Sequence, residues 1–148
     1  MFHLRFERHI EQPIEDVFAR LIDIDAYPDW LPQSLIFKGG GLEDPEQAIE
    51  VGTRFVDRTP FGRFHGEVTE LDPPRRVAFE QSVRQFGRLA FISKPSYTLE
   101  PTDNGTQVIH DAVGETHGPT RLFEPLVRVL ASKERQRTID ELKRSLET

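Results

Sequence analysis

The last thirty residues, Pro119 to Thr148, constrain the fold more than any other stretch. Gly118 is the final glycine, Pro125 the only internal proline, and Leu, Lys, Arg and Glu dominate, so the intrinsic preference is helical. Phe123, Val127, Ala131, Arg135 and Ile139 recur every fourth residue, flanked by Leu126, Leu130, Leu142 and Leu146. A row of i+4 steps drifts by roughly 40° per step around a helix, so the apolar stripe turns slowly along it. A helix of this kind gains its stability from a partner surface. Leu122 to Leu130 and the set Ile139, Leu142 and Leu146 fall on nearly opposite sides. One straight helix cannot serve one groove with both, so the pattern predicts a bend, an irregular start near Pro125, or a second partner for the first half. Arg135 is the one charged member of the ridge.

The rest of the chain reads as a sheet for that helix to lie in. Phe2, Leu4, Phe6 and Ile10 alternate with polar residues, the period of a half-buried strand, which sends His3 and His9 to the polar face. Pro13 suits a first helical position, and Val17, Phe18, Leu21 and Ile22 follow at helical spacing. A short helix or turn is expected over Ile24 to Trp30. A brief strand is expected at Leu35-Ile36-Phe37, ended by Gly39 to Gly41. Strands follow over 53–59, 64–71, 77–81, 88–99 and 106–117, joined by Phe61-Gly62-Arg63, Asp72-Pro73-Pro74, Phe86-Gly87-Arg88 and Asp103-Asn104-Gly105. Pro95 predicts a bulge or a sheet edge. Successive hairpins without crossover helices imply an antiparallel sheet, so the class is α+β in the order β-αα-β6-α.

Composition excludes several functions. At 148 residues the chain suits one domain, and a net charge of −6 opposes nonspecific nucleic-acid binding. There is no cysteine, hence no disulfide and no thiol nucleophile; this fits a reducing, cytoplasmic setting. No stretch suits a signal peptide or an integral membrane span. The histidines show no metal-ligand spacing, Gly39 to Gly41 lack the Lys-Ser/Thr of a phosphate loop, and no Gly-x-Ser-x-Gly is present. No metal and no cofactor are expected.

A set of motifs, in order, spans nearly the whole chain. They are Ile10-Glu11-Gln12-Pro13-Ile14-Glu15-Asp16-Val17-Phe18, Tyr27-Pro28-Asp29-Trp30-Leu31-Pro32, Val51-Gly52-Thr53, Leu71-Asp72-Pro73-Pro74-Arg75-Arg76-Val77, Gly105-Thr106-Gln107-Val108 and Leu142-Lys143. Together they resemble the START-like (SRPBCC) superfamily and its bacterial polyketide cyclase/dehydrase-like members. The resemblance implies a helix-grip fold, a curved antiparallel sheet wrapped around the C-terminal helix with an apolar cavity between them. It makes residues 1–148 a single ligand-binding domain. It turns Phe37, Phe55, Phe64, Phe79, Phe91 and Tyr97 inward, places Trp30 near one end of the cavity, and sends His110 inward with Val108 and Ala112. The opposite face of that strand, with Asp111 and Glu115, is then wet.

Within this frame His110 is either a ligand donor and general base or a structural histidine bonded to Tyr97 or backbone. Arg135 either meets an anionic or carbonyl group of a ligand or snorkels to the rim. Three functions follow. The first is binding of a small hydrophobic, aromatic or lipid-like molecule at Trp30, the inward phenylalanines, Tyr97, His110 and Arg135. The second is a cofactor-free cyclase or dehydratase using His110, Tyr97 and Arg135. The third is a protein-interaction module or homodimer with an exposed patch at Leu122, Leu126 and Val129 and little cavity.

Overall fold

A computed structural model describes all residues from Met1 to Thr148. Strand β1 (Phe2–Ile10) leads into helix α1 (Ile14–Ile22), a 3₁₀ turn (Ile24–Ala26) and the single-turn helix α2 (Tyr27–Trp30). Strands β2 (Gly40–Leu42), β3 (Arg54–Thr59), β4 (Gly62–Asp72), β5 (Arg76–Gln85), β6 (Arg88–Thr102) and β7 (Gly105–Thr116) follow. A 3₁₀ segment (Gly118–Phe123) then opens helix α3 (Glu124–Glu147). The seven strands form one antiparallel sheet in the order β1-β7-β6-β5-β4-β3-β2. This is the helix-grip architecture: a curved sheet with the long C-terminal helix against its inner face.

The alternation of β7 is realised residue by residue. Thr106, Val108, His110, Ala112, Gly114 and Thr116 are buried, and the residues between them, Asp111 and Glu115 included, are half-exposed. Asp111 and Glu115 meet His3 and Lys94 at 3.0 and 3.3 Å on the outer face. Val17, Phe18 and Leu21 of α1 join Ile10, Leu99, Val108, Ile139 and Leu142 in the main core.

Three local expectations are corrected. Leu35 to Phe37 is no strand. The Ser34 hydroxyl accepts the amide N–H groups of Ile36 and Phe37 at 3.1 and 3.0 Å, which closes a turn, and the glycines themselves carry β2. Gly40 lies opposite Asp57 so closely that a Cβ would collide with the Val56 carbonyl. Pro95 is at neither a bulge nor an edge: it lies in β6, between β5 and β7, opposite Ala112. Its missing N–H falls where β5 and β6 do not pair, between Ala78–Ser96 and Gln81–Ser93. Pro13 caps α1 from outside, extended at ψ 149°, and helix begins one residue later.

Helix α3 divides as its pattern predicts. The start is irregular, with Pro125 in the first turn. No residue before Thr138 is buried, whereas Thr138, Ile139 and Leu142 are. Polar ties also favour the second half: Arg8 meets Asp140 at 2.7 Å, Arg20 donates to Ser145 at 2.8 Å, and Glu147 accepts the Glu11 amide at 2.9 Å.

Candidate functional site: a polar-ended apolar cavity

Between the first half of α3 and the sheet lies a cavity of about 410 Å³. The ridge Phe123, Val127, Ala131 and Arg135 forms its helical wall, and Thr138 its floor. The strands supply one inward residue in two. Phe55, Asp57 and Thr59 come from β3, and Phe79, Gln81 and Val83 from β5. On β6 the series is Phe91, Ser93, Pro95 and Tyr97, and a register shift opposite Arg84 also turns Ala90 inward. The phenylalanines brace one another edge to face, Phe55 on Phe79 at 5.6 Å and Phe64 on Phe91 at 6.3 Å. Rigid rings hold the walls apart, so the space does not collapse.

Six of the residues expected at the site, Phe37, Phe55, Phe64, Phe79, Phe91 and Tyr97, line this cavity, and Arg135 does too. Two expected residues do not. Trp30 is buried in the core behind the wall, packed on Tyr27 with ring centroids 4.8 Å apart, and Tyr27 lines the cavity in its place. The Tyr27 hydroxyl is spent on the Leu21 carbonyl at 2.6 Å. His110 is fully buried and stands behind Tyr97, the two rings stacked at 4.1 Å and 7°. Its Nδ1–H donates to the Ser96 carbonyl at 2.9 Å, which fixes the tautomer and leaves Nε2 without a partner. Burial, then the nearby Arg135 charge, lowers its pKa to about 3, outweighing the Ser96 bond. His110 is thus held neutral behind Tyr97 and does not line the cavity.

Sequence reasoning missed Asp57 and Gln81. Both lie two residues beyond an inward phenylalanine, so the alternation already pointed them inward; a carboxylate on an apolar face was the signal. Gln81 donates to Asp57 Oδ2 at 2.6 Å, and the other carboxylate oxygen packs beside Gly40. Burial raises the Asp57 pKa, opposed in part by the Gln81 bond and by Arg135. Tyr97 is also raised, by burial, with Arg135 opposing. Arg135 thus stands among Tyr27, Asp57 and Tyr97 with no ion-pair partner. Glu134, one residue earlier, is already taken by Arg137 at 2.7 Å and by the Ser34 hydroxyl. The result is an apolar chamber with one carboxyl–amide pair and one uncompensated guanidinium at its inner end. No three His, Asp or Glu side chains converge as a metal site would require.

The family model described as "Polyketide cyclase / dehydrase and lipid transport" matches residues 1–147. The chain belongs to this family. Solved structures of the same fold include protein BH1534 from Bacillus halodurans, at 18% identity and a TM-score of 0.70, covering 99% of this chain and 98% of that one. The Aha1 dimer from Colwellia psychrerythraea matches at 18% identity and 0.68, covering 99% and 97%. DynU16, a protein in the dynemicin biosynthetic locus, matches at 19% and 0.67, covering 99% of this chain and 47% of that one. No curated protein matches the sequence. At such identities the structural likeness shows the fold; the family member's chemistry has to be read from its own cavity. No helix is long and apolar enough to cross a membrane.

Proposed function

We propose that this family member, acting as one START-like domain over residues 1–148 in the cytoplasm, binds a small hydrophobic molecule, aromatic or lipid-like, between the sheet and α3. The observation that carries the reading is the 410 Å³ cavity, walled by phenylalanines yet ended by the unpaired Arg135. Pockets for small molecules combine mainly apolar walls with a few placed polar groups. A half-buried arginine left without a counter-ion is costly unless a ligand supplies one, so the ligand carries an anionic or strongly polarised oxygen at one end. The protein-interaction reading called for little or no cavity, and it ranks below.

Titration with the neutral fluorophore N-phenyl-1-naphthylamine tests the proposal. Saturable binding that Ser93→Phe abolishes, with the melting temperature retained, is the expected result. Signal that is absent, or unchanged in Ser93→Phe, refutes occupancy of the cavity.

A second reading, a cofactor-free enzyme of the cyclase or dehydratase kind, is favoured by one observation. Asp57 is a carboxyl with a raised pKa facing a cavity that also holds Arg135. Such a carboxyl holds a proton more readily than an exposed one and can both accept and donate it, and the guanidinium would stabilise an enolate oxygen. In this version Asp57 replaces His110 as the acid–base group, because the His110 proton is committed to Ser96. Turnover retained in Asp57→Asn on an identified substrate would exclude it.

A further inference from the structure

The antiparallel meander brings three segments to one end of the molecule: the β3–β4 turn, the β5–β6 turn, and the junction from β7 into α3. The cavity opens there, since Phe61 of the first turn and Phe123 and Leu126 of the third segment line it and are also exposed to solvent. Phe86 and Leu122 extend the rim, at 103% and 81% exposure, with no cavity to serve. Of the nine large exposed apolar side chains, Phe61, Phe86, Leu122, Phe123, Leu126 and Val129 belong to these segments and Met1 is tied to Glu124; Leu35 and Val51 lie outside them.

Phe86 is the most informative. It has φ 54°, the left-handed region that suits glycine and asparagine and is strained for a bulky side chain. A strained backbone presenting a bare ring to water serves neither the turn nor the core. Charge has the same focus. Across residues 59–63, 84–91 and 117–132 there are five arginines, Arg63, Arg84, Arg88, Arg121 and Arg128, against one acid, in a chain of net charge −6. All five are exposed and none is in an ion pair, whereas five of the ten arginines elsewhere, Arg5, Arg8, Arg76, Arg137 and Arg144, are paired. The one acid, Glu124, is held by the N-terminal ammonium and the Thr116 hydroxyl. The nearest other carboxylate on β7, Glu115, is held by Lys94.

We infer that this end of the molecule docks on an anionic lipid bilayer, the apolar tips entering the headgroup region while the arginines meet lipid phosphates. Peripheral binding of this sort combines buried apolar area with attraction to anionic lipid. Two features favour a bilayer over a protein. The apolar groups project singly from three separate segments, which fits a fluid interface better than one flat complementary face. A second copy docked face to face would bring ten arginines together. The proposal rests on the cavity as a site for an apolar molecule, and it adds the route: ligand passes between bilayer and cavity without crossing water.

Flotation with vesicles of phosphatidylcholine containing about 30% phosphatidylglycerol tests this, with phosphatidylcholine-only vesicles and about 0.5 M NaCl as comparisons. The wild type floats with the anionic vesicles. The bound fraction falls about tenfold on neutral vesicles, in high salt, in Arg84→Glu/Arg88→Glu and in Phe86→Asp/Leu122→Asp. These positions are exposed and off the cavity wall, so N-phenyl-1-naphthylamine binding in vesicle-free buffer stays unchanged in the variants. Wild type that fails to float while still binding the probe overturns the docking surface and leaves the cavity reading intact. Flotation without probe binding does the reverse. Variants that float like wild type, or that dissolve a solution dimer instead, also overturn it.

Discussion

The two halves of α3 are made of similar residues and do opposite work. Ile139 and Leu142 are fully buried among Ile10, Val17, Leu99 and Val108, and polar ties clamp that half to β1 and α1. Leu126 and Val129, with Leu122 just before the helix, are 50–81% exposed, and the ridge beside them faces the cavity. Burial that stabilises the fold is concentrated at one end of the helix, and apolar surface left available is concentrated at the other. A helix of this kind is a core element at its C-terminal end and a wall at its N-terminal end. Arg135 and Thr138 mark the change.

The largest effect expected from this contrast is on stability. Ile139→Ala or Leu142→Ala should cost about 2–5 kcal/mol in urea unfolding, as for other fully buried large-to-small changes. Leu122→Ala should stay within about 0.5 kcal/mol of wild type. Equal losses at both ends would erase the distinction between core and wall.

At the boundary stands His110, and its burial makes a pH prediction. Its pKa is lowered from 6.5 to about 3 in the fold, so below about pH 6.5 the unfolded chain takes up a proton that the folded one refuses. Stability should therefore fall, relative to a His110→Gln variant, by about 1.4 kcal/mol per pH unit between those values. Asp57 acts in the opposite sense, its raised pKa favouring proton uptake by the folded state, and the variant comparison cancels it. Parallel curves for the two proteins would show that His110 is not held neutral.

The sheet and the division of the helix were legible because both rest on periodicity. Inward side chains at every second strand position and a four-residue ridge leave little freedom once hairpins follow one another. Leu35 to Phe37 misled because a three-residue apolar run carries no period, and the Ser34 hydroxyl decided its shape. His110 misled for another reason. Its face was right, but a side chain on the inner face of β7 reaches the cavity only if nothing lies above it, and Tyr97 does. That is a fact of cross-strand register, which alternation within one strand does not contain. Trp30 is hidden too, but by Tyr27 of its own helical turn. Asp57 was open to reading from its position after Phe55.

Smaller effects sharpen the comparison at the wall. Arg135→Met should weaken an anionic apolar probe, 8-anilinonaphthalene-1-sulfonate, by about tenfold or more while leaving the neutral N-phenyl-1-naphthylamine nearly unchanged, the difference expected of one charge-assisted contact. Equal losses for both probes would make Arg135 a packing residue. Phe86→Asn should raise stability by about 1 kcal/mol by relieving the left-handed backbone. A loss there would mean that the exposed ring supports the fold.

The most direct measurement is native mass spectrometry of the protein isolated from its own host. An added mass of a few hundred daltons, sized to the 410 Å³ cavity and released by organic solvent, is the expected result. A bare protein mass, together with no saturable uptake of either probe by that same preparation, would contradict it.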